Sequence, residues 1–391
     1  MKVFPNLRTA ILKNITEIIQ NKNVLDSYIQ KQFKANPKWG SKDRKTIAQC
    51  TYDIVRHYEF LMHFSESKEM VLDTYLNFLN EDHQFDYETL RAKYEAELPF
   101  ETLYSVPSLF AKLGEKELGE NFQAVWKAMH KPAPIFLRVN QSQTTLDIFT
   151  DTLSEHGIEF EVLDNIQYAG EKLEMAPVIK LLKPIAKNHI LFEEFGSHFE
   201  IQDLGSQYIS QFSDISKAKK IIESCAGNGG KSTHILDLTS ENIQLVSFDI
   251  EESKLKHLDK RVARMFGKKV KTELANDANM DKYKNFADVL FMDVPCSGSG
   301  TIRRQADLKY RIYEAPLIEK WHLQKQIIEN FVPTLKSGGK LIYSTCSIFP
   351  SENDDQVQWI ESRGFTCTKK QTLLPGEYEG DGFFVAELIK N

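Results

Sequence analysis

Two cysteines that follow apolar runs constrain the fold of this chain more than any other feature. The first ends the stretch Asp288-Val-Leu-Phe-Met-Asp-Val-Pro-Cys296, and the second ends the stretch Gly339-Lys-Leu-Ile-Tyr-Ser-Thr-Cys346. A short apolar run that stops abruptly is typical of a buried strand, so each thiol is expected at the carboxyl end of a sheet strand. Ligands bind at that edge in open α/β sheets. Two thiols there, beside a glycine-rich loop, favour covalent chemistry.

Strand and helix patterns alternate from about residue 205 onward. The predicted helices include Glu252–Phe266 and Pro316–Leu335. The predicted strands are Lys220–Ser224, Leu245–Ile250, Val270–Ala275, Val289–Asp293 and Lys340–Ser344. Such alternation predicts an α/β fold with a parallel sheet and helices on both faces. The last apolar run, Gly382–Ile389, is expected to add an edge strand.

The first 130 residues have a helical pattern. Apolar residues recur at helical spacing, and the residues expected in the core are Leu7, Ile11, Ile15, Ile18, Ile47, Cys50, Ile54, Tyr58 and Leu61. A chain of 391 residues is long for one core. We therefore predict an all-helical domain over residues 1–130, followed by two further domains.

The segment over residues 131–204 is predicted to be a small α+β subdomain that precedes the domain at 205–391. One helix pattern runs from Thr145 to His156. Strand-like runs cover Ile135–Asn140, Glu159–Leu163, Ile190–Phe195 and His198–Gln202.

Composition excludes several classes of protein. A hydrophobic content of 41% and a charged content of 27% are those of an ordinary globular protein. No apolar run approaches the roughly 18 residues of a membrane span, and the first residues contain no apolar stretch long enough to be expected to act as a secretory signal. The five cysteines are scattered and form no Cys-x-x-Cys pair or zinc-spaced cluster. We expect a cytoplasmic monomer with no metal and no membrane partner.

Charge is distributed unevenly along the chain. The net charge is −6, yet residues 1–50 contain ten Lys or Arg and three Asp or Glu. A basic end of this kind can supply contacts to the phosphates of a nucleic acid. A solvated charged surface explains the charge equally well.

The glycine-rich loop Cys225-Ala-Gly-Asn-Gly-Gly-Lys231 has three interpretations. A Walker loop requires glycine five residues before Gly230, where Cys225 stands, and a dinucleotide fingerprint fits poorly at Ser232. The third is a loop that wraps the methionine portion of S-adenosylmethionine. Asp249, about twenty residues later, would then accept hydrogen bonds from ribose hydroxyls, and Asp277 would contact the adenine end. An acid after the second strand also suits NAD, so the cysteine-bearing strand ends decide between them.

Several motifs in the same order resemble one known family. They include Cys225–Lys231, Asp293-Val-Pro-Cys-Ser-Gly298 and Ser344-Thr-Cys-Ser347, with Leu137-Arg-Val-Asn140, Gln202-Asp203, Ser206, Ile302-Arg-Arg304, Asp307-Leu-Lys309 and Asp381-Gly-Phe-Phe384 in support. This pattern resembles the RNA 5-methylcytosine methyltransferases of the Sun or ribosomal small-subunit methyltransferase B group, over roughly 135–391. The helical part resembles the NusB-type RNA-binding domain of some members. The chain departs from the family at Glu223, usually Asp, and at Asn228, usually Pro.

The resemblance implies a Rossmann-like methyltransferase sheet, S-adenosylmethionine as cofactor and RNA as substrate. The implied reaction is methylation of carbon 5 of cytosine, with 16S ribosomal RNA preferred over transfer RNA. The alternative to an enzyme is a non-catalytic ribosome-assembly factor that binds RNA. An NTPase is a third hypothesis, which the motifs favour less. The implied cofactor-binding residues are Cys225, Ala226, Gly227, Asn228, Gly229, Gly230, Lys231, Asp249, Asp277 and Asp293.

The resemblance also implies a division of labour between the thiols. Cys346 is expected to attack carbon 6 of the base, and Cys296 is expected to assist release of the methylated product. DNA 5-methylcytosine enzymes carry a Pro-Cys nucleophile, so the reverse assignment stays open, as does a role for both thiols as small buried apolar groups. Asp293 is expected to hydrogen-bond the cytosine edge.

Four cations complete the predicted site. Lys231 is expected to lower the pKa of the attacking thiol, although a helix-start cation without a role is an alternative. Beside the active strand, cations can meet RNA phosphates, and the residues proposed for this are Arg303, Arg304 and Lys309. Single-stranded or loop RNA is favoured, because the target base must be unstacked to reach a thiol.

Overall fold

Two compact units divide the chain in the computed structural model, which describes residues 3–81, 87–186, 188–268 and 270–391. The first unit comprises Met1–Lys131 and Thr301–Leu317, and the second comprises Pro132–Gly300 and Ile318–Asn391. The predicted segments 131–204 and 205–391 thus fall largely in one unit, and the assignment of Thr301–Leu317 to the first unit is not foreseen by the sequence. In the described part of the chain, no helix has both the length and the apolar character needed to cross a membrane.

The first unit is built of helices. The predicted stripe of Leu7, Ile11, Ile15 and Ile18 is buried and packs against apolar residues of the second and third helices. Tyr310 joins the same core. The helices of this unit are α1 (Pro5–Ile19), α2 (Leu25–Ala35), α3 (Ser41–Arg56), α4 (Tyr58–His63), α5 (Val71–Glu81), α6 (Tyr87–Tyr94), α7 (Phe100–Leu103), α8 (Ser108–Leu118), α9 (Phe122–Met129) and, in chain order, α16 (Leu308–Arg311).

A four-stranded antiparallel sheet opens the second unit. Its strands are β1 (Ile135–Val139), β2 (Phe160–Leu163), β5 (Val178–Leu181) and β6 (Phe199–Ile201), in the order β2-β5-β1-β6. The other elements of this region are helices α10 (Leu146–Glu155) and α11 (Ile190–Glu194) and the hairpin strands β3 (Gln167–Tyr168) and β4 (Glu171–Lys172).

The strand predicted at Ile190–Phe195 is wrong, since these residues form α11. Leu191, Phe192 and Phe195 lie at helical spacing and all pack on the same apolar cluster. His189 caps the helix, because its Nδ1 accepts a hydrogen bond from the Leu191 amide at 3.2 Å. Helical packing therefore overrides the β-like composition of this short run.

The large sheet has seven strands and confirms the predicted α/β, Rossmann-like class. Its strand order is β12-β13-β11-β10-β7-β8-β9, and the pairs from β11 to β9 are parallel. The strands are β7 (Lys220–Glu223), β8 (Gln244–Asp249), β9 (Lys271–Leu274), β10 (Ala287–Asp293), β11 (Leu335–Thr345), β12 (Phe365–Leu373) and β13 (Phe383–Lys390).

The sequence predicts that the final strand lies at the edge of the sheet, and this prediction is wrong. β13 pairs antiparallel with both β11 and β12, so β12 forms the edge instead. β12 contains exposed lysines and few apolar residues, which is common for an edge strand. Because β12 has no continuous apolar run, its sequence does not predict a strand.

Both faces of the large sheet are covered. Val289 and Phe291 of β10 belong to one apolar cluster, and Leu290 and Met292 belong to the other. This alternation follows from the two-residue period of a strand. The helices of this region are α12 (Leu204–Gln211), α13 (Gly230–Leu238), α14 (Glu252–Phe266), α15 (Asp277–Met280), α17 (Glu314–Phe331) and α18 (Asp354–Glu361). The carboxyl ends of the parallel strands are left to form a site.

Candidate active site

Two neighbouring parallel strands bring the distant cysteines together. β10 ends at Asp293, which lies opposite Ser344 near the end of β11. Cys296 and Cys346 therefore follow their strands at the same edge, and their Sγ atoms lie 3.4 Å apart. The parallel register explains how residues fifty positions apart in sequence come into contact.

Both thiols line a cavity of about 550 Å³ at this edge. The thiol contact with Cys346 is the largest cause, and burial the next, of a pKa of Cys296 well above its ordinary value. Cys296 is therefore a protonated thiol at neutral pH in this arrangement. A larger groove, of about 770 Å³, is lined by other residues and contains neither cysteine.

A lysine and a carboxylate stand beside the thiols. Lys231, in the first turn of α13, places Nζ 2.6 Å from Oδ2 of Asp293. The Ser344 hydroxyl donates to the other carboxylate oxygen at 3.1 Å. Burial lowers the pKa of Lys231, but attraction to Asp293 outweighs it, so the net pKa is raised. Lys231 is thus a cation at the helix start that is 12% exposed and paired with Asp293.

The glycine loop joins β7 to α13 and is fixed to the end of β8. The Gly227 amide donates to Oδ2 of Asp249 at 2.9 Å, and the Glu251 amide donates to Oδ1 at 2.9 Å. Gly229 has a φ of 85°, and a Cβ there would lie 2.8 Å from Leu258, so this position requires glycine. Asn228 is not among the residues with positive φ. It does not use the backbone freedom that distinguishes Asn from Pro.

A buried carboxylate supports the loop from below. Glu223, at the end of β7, accepts hydrogen bonds from the hydroxyls of Ser232 at 2.5 Å and Ser247 at 2.9 Å. Burial raises the pKa of Glu223 to about 7, against the opposing effect of both hydroxyls. The carboxyl group therefore connects β7, α13 and β8 next to the glycine loop.

Six of the residues predicted for the site line the cavity. They are Cys225, Gly227, Asp249, Asp293, Cys296 and Cys346. Burial raises the pKa of Cys225 to about 12, so this thiol is poorly suited to attack. The same turn holds the other predicted loop residues, Ala226, Asn228, Gly229 and Gly230.

Asp277 is not placed on the cavity wall. It is exposed at the start of α15, whereas its neighbours Ala275 and Met280 line the cavity. The predicted contact of its carboxylate with an adenine stays a prediction.

Apolar residues on the cavity wall are missed by sequence reasoning. Ile250 directly follows Asp249 and is 78% exposed, although it is a large apolar side chain. From α17, Leu323, Ile327 and Phe331 also line the cavity. The position of Ile250 after the predicted ribose acid is the one signal in sequence that could have identified it.

The three cations predicted to contact RNA belong to the first unit. Lys309 is 2% exposed, and its Nζ donates to the carbonyl oxygens of Arg56 at 2.6 Å and Ser105 at 2.9 Å. The prediction for Lys309 is therefore wrong, because a buried and bonded ammonium has no free face for a phosphate. Arg303 is 6% exposed, and this burial also argues against its predicted contact with an RNA phosphate. Arg304 is exposed, and its contact with RNA stays a prediction.

Comparison with known proteins identifies the family. Residues 212–389 match the family described as 16S rRNA methyltransferase RsmB/F, and residues 106–170 match the ferredoxin-like domain of RsmF/B-like methyltransferases. The chain is 32% identical over 320 residues to ribosomal RNA small subunit methyltransferase B of Escherichia coli strain UMN026, covering 78% of this chain and 71% of the relative. It is 30% identical over 295 residues to the protein of that name from Pasteurella multocida, covering 70% and 63%.

Two solved structures share the fold. The crystal structure of PH0851 has a TM-score of 0.74 at 20% identity and covers all of both chains. The structure of NSun6 from Pyrococcus horikoshii with SFG has a TM-score of 0.61 at 18% identity, covering 73% of this chain and 98% of that one. The structures show the fold alone; the family match and the identity to the curated relatives establish that the chain belongs to the RsmB/F family of 16S rRNA methyltransferases.

Proposed function

We propose that this chain methylates carbon 5 of a cytosine in 16S ribosomal RNA through a covalent bond between Cys346 and the base. The observation that carries the proposal is the pair of thiols 3.4 Å apart beside a nucleoside-sized cavity. A non-catalytic assembly factor needs neither thiol. Transfer RNA is the alternative substrate, but the curated relatives carry the name of ribosomal small-subunit enzymes.

The cavity fits S-adenosylmethionine, the cofactor of this enzyme. Its volume of about 550 Å³ lies within the usual range for small-molecule sites. Asp249 and the amides of the glycine loop would hold the ribose and the methionine portion, and the exposed Ile250 would cover one face of the adenine. When bound, the cofactor supplies a methyl group on a positively charged sulfur.

Cys346 is proposed to activate the base. Carbon 5 of cytosine is a poor nucleophile, because direct attack would break the aromatic ring. Bond formation between Sγ of Cys346 and carbon 6 moves an electron pair onto the ring and makes carbon 5 an enamine carbon, which can take the methyl group. The attacking group must be the thiolate.

Asp293 is proposed to hold the edge of the base. One carboxylate oxygen binds Lys231 and the other accepts from Ser344, so the group is oriented before the substrate arrives. An oriented carboxylate at the cavity wall can hydrogen-bond the cytosine edge while charge builds on the ring.

Cys296 is proposed to assist release of the product. After methyl transfer, carbon 5 carries both a methyl group and a proton. Loss of that proton and cleavage of the bond between carbon 6 and Cys346 restore the ring and free the enzyme. Cys296 lies 3.4 Å from the sulfur that must leave. Its thiol, which is protonated at neutral pH, can give its proton to that sulfur and then take up the proton that carbon 5 loses.

Methylation mapping tests the proposed substrate. Bisulfite sequencing of RNA from a deletion strain should show one cytosine of 16S ribosomal RNA that loses its methyl group. A plasmid copy of the chain should restore the signal, and the matched Cys346→Ala copy should not. Loss of methylation confined to transfer RNA would select the alternative substrate, and an unchanged map in all strains would contradict the proposal.

A further inference from the structure

A buried carboxylate lies behind the two cysteines. Glu352 is 0% exposed and belongs to the short turn that follows the Cys346 strand end. It is not among the residues that line the cavity. A charged group is rarely buried without bonded partners, so its partners indicate what it does.

One set of partners holds the Cys296 loop. Oε1 of Glu352 accepts the Ser297 amide at 2.8 Å and the Gln324 side-chain amide at 3.0 Å. Oε2 accepts the Ser297 hydroxyl in a short hydrogen bond. Ser297 directly follows Cys296, so both its backbone and its side chain are fixed to the same carboxylate.

A second set of contacts continues to the Cys346 loop. The Ser297 hydroxyl lies 3.3 Å from that of Ser347, which in turn lies 3.0 Å from that of Ser299. The Ile348 amide donates to the Ser299 hydroxyl at 3.0 Å. The Ser297 hydroxyl donates to Glu352 and lies between that carboxylate and the Ser347 hydroxyl. Residues adjacent to both cysteines are thereby connected through Glu352.

We propose that Glu352 is a positioning residue that sets the separation of Cys296 and Cys346. This inference rests on the proposed covalent reaction. Cys346 forms the bond to the base, and Cys296 must lie within reach of that adduct for release. Removing the carboxylate leaves the Ser297 amide and hydroxyl without their common acceptor, so the Cys296 loop can move away from Cys346.

The rate at which the covalent adduct is released should depend on the distance between Cys296 and Cys346. In Glu352→Ala, attack by Cys346 persists but release slows, so a covalent protein–RNA adduct accumulates and turnover falls by about 10- to 100-fold, as expected for a displacement near 1 Å. In Glu352→Gln, the amide oxygen still accepts the two N–H groups, and the Ser297 hydroxyl can accept from the new NH₂ group while it donates to Ser347. Glu352→Gln should therefore recover most of the lost turnover.

The experiment incubates the full chain with substrate RNA and S-adenosylmethionine and separates adducts on denaturing gels. Ser297→Ala removes one link of the chain without burying a new charge, so it carries the test if Glu352→Ala does not fold. Glu387→Ala is the matched control. Glu387 is 8% exposed and also accepts from two hydroxyls, those of Ser213 and Thr368. It lies on β13 and pairs with Lys340 near the middle of β11, but it bonds neither Ser297 nor Ser347. No adduct should accumulate with the control.

The outcomes separate this inference from the proposed function. If Cys296→Ala accumulates adduct while Glu352→Ala and Ser297→Ala do not, the positioning role is wrong and the covalent mechanism stands. If Glu352→Gln is as impaired as Glu352→Ala, Glu352 acts as a proton acceptor and the positioning role is again wrong. If no variant, Cys296→Ala included, forms an adduct and all still methylate, the covalent mechanism itself fails.

Discussion

Replacing Asp249 with alanine should weaken binding of S-adenosylmethionine without removing any reactive group. In the structure the carboxylate is 6% exposed and accepts the amides of Gly227 and Glu251, both at 2.9 Å. Asp249 also lines the cavity. The substitution would remove the proposed acceptors for the ribose hydroxyls and leave the Gly227 amide without its acceptor.

The expected loss follows from these contacts. Net hydrogen bonds to a charged group contribute about 1.5–3 kcal/mol each, and an unpaired buried amide costs about 1–3 kcal/mol. Part of the amide cost is present in the free protein and cancels in binding. We therefore expect a loss of about 1–3 kcal/mol, which corresponds to about 5- to 150-fold in Kd. Asp249→Asn keeps one acceptor oxygen and should lose less.

Isothermal titration calorimetry with S-adenosylmethionine measures this loss. Glu252→Gln is the matched control, because the Glu252 side chain is a nearby exposed carboxylate that pairs with Lys256, and neither residue lines the cavity. The control should bind with unchanged Kd. Equal affinity of Asp249→Ala and the unsubstituted chain, with both folded, would refute the ribose assignment.

Two further predictions concern pH and salt. Because burial raises the pKa of Glu223 from 4.5 to about 7, stability from this group is lost as pH rises through that range. Relative to Glu223→Gln, the unsubstituted chain should lose up to about 3 kcal/mol of unfolding free energy between pH 4.5 and 8. Urea titrations measure this free energy at each pH. A difference between the two proteins that stays constant with pH would contradict the prediction. Substituting the exposed Lys34, Lys38, Lys42 and Lys45 by Gln should reduce the slope of log K for RNA binding against log salt concentration by up to about 3. A slope that is unchanged, as it should be for lysine variants in the second unit, would exclude a role of these lysines in RNA binding.

The parallel sheet and the thiol pair could be predicted because their signals are local. Each apolar run is continuous and ends in a polar residue, which identifies β10 and β11 and places Cys296 and Cys346 at one edge. Glu252–Phe266 has helical spacing and is a helix with those bounds. Strand β12 escaped prediction, because an edge strand need not be apolar.

The contacts of Lys309 and Glu352 could not be predicted, because they depend on residues distant in sequence. Lys309 follows the active strand, yet its ammonium binds carbonyl oxygens of Arg56 and Ser105. Deleting residues 1–130 would therefore expose this buried cation, which makes charge substitutions the cleaner test of RNA binding. Glu352 resembles a surface acid in sequence, and only the folded loops show that it joins two strand ends.

The covalent adduct tests the central claim most directly. Each of the variants Cys346→Ala and Cys296→Ala is incubated with substrate RNA and S-adenosylmethionine and run on a denaturing gel. If Cys346 attacks carbon 6 and Cys296 assists release, a shifted protein–RNA band should accumulate with Cys296→Ala and be absent with Cys346→Ala. The opposite pattern would assign the attack to Cys296. No adduct in either variant, with methylation surviving both substitutions, would contradict the covalent mechanism.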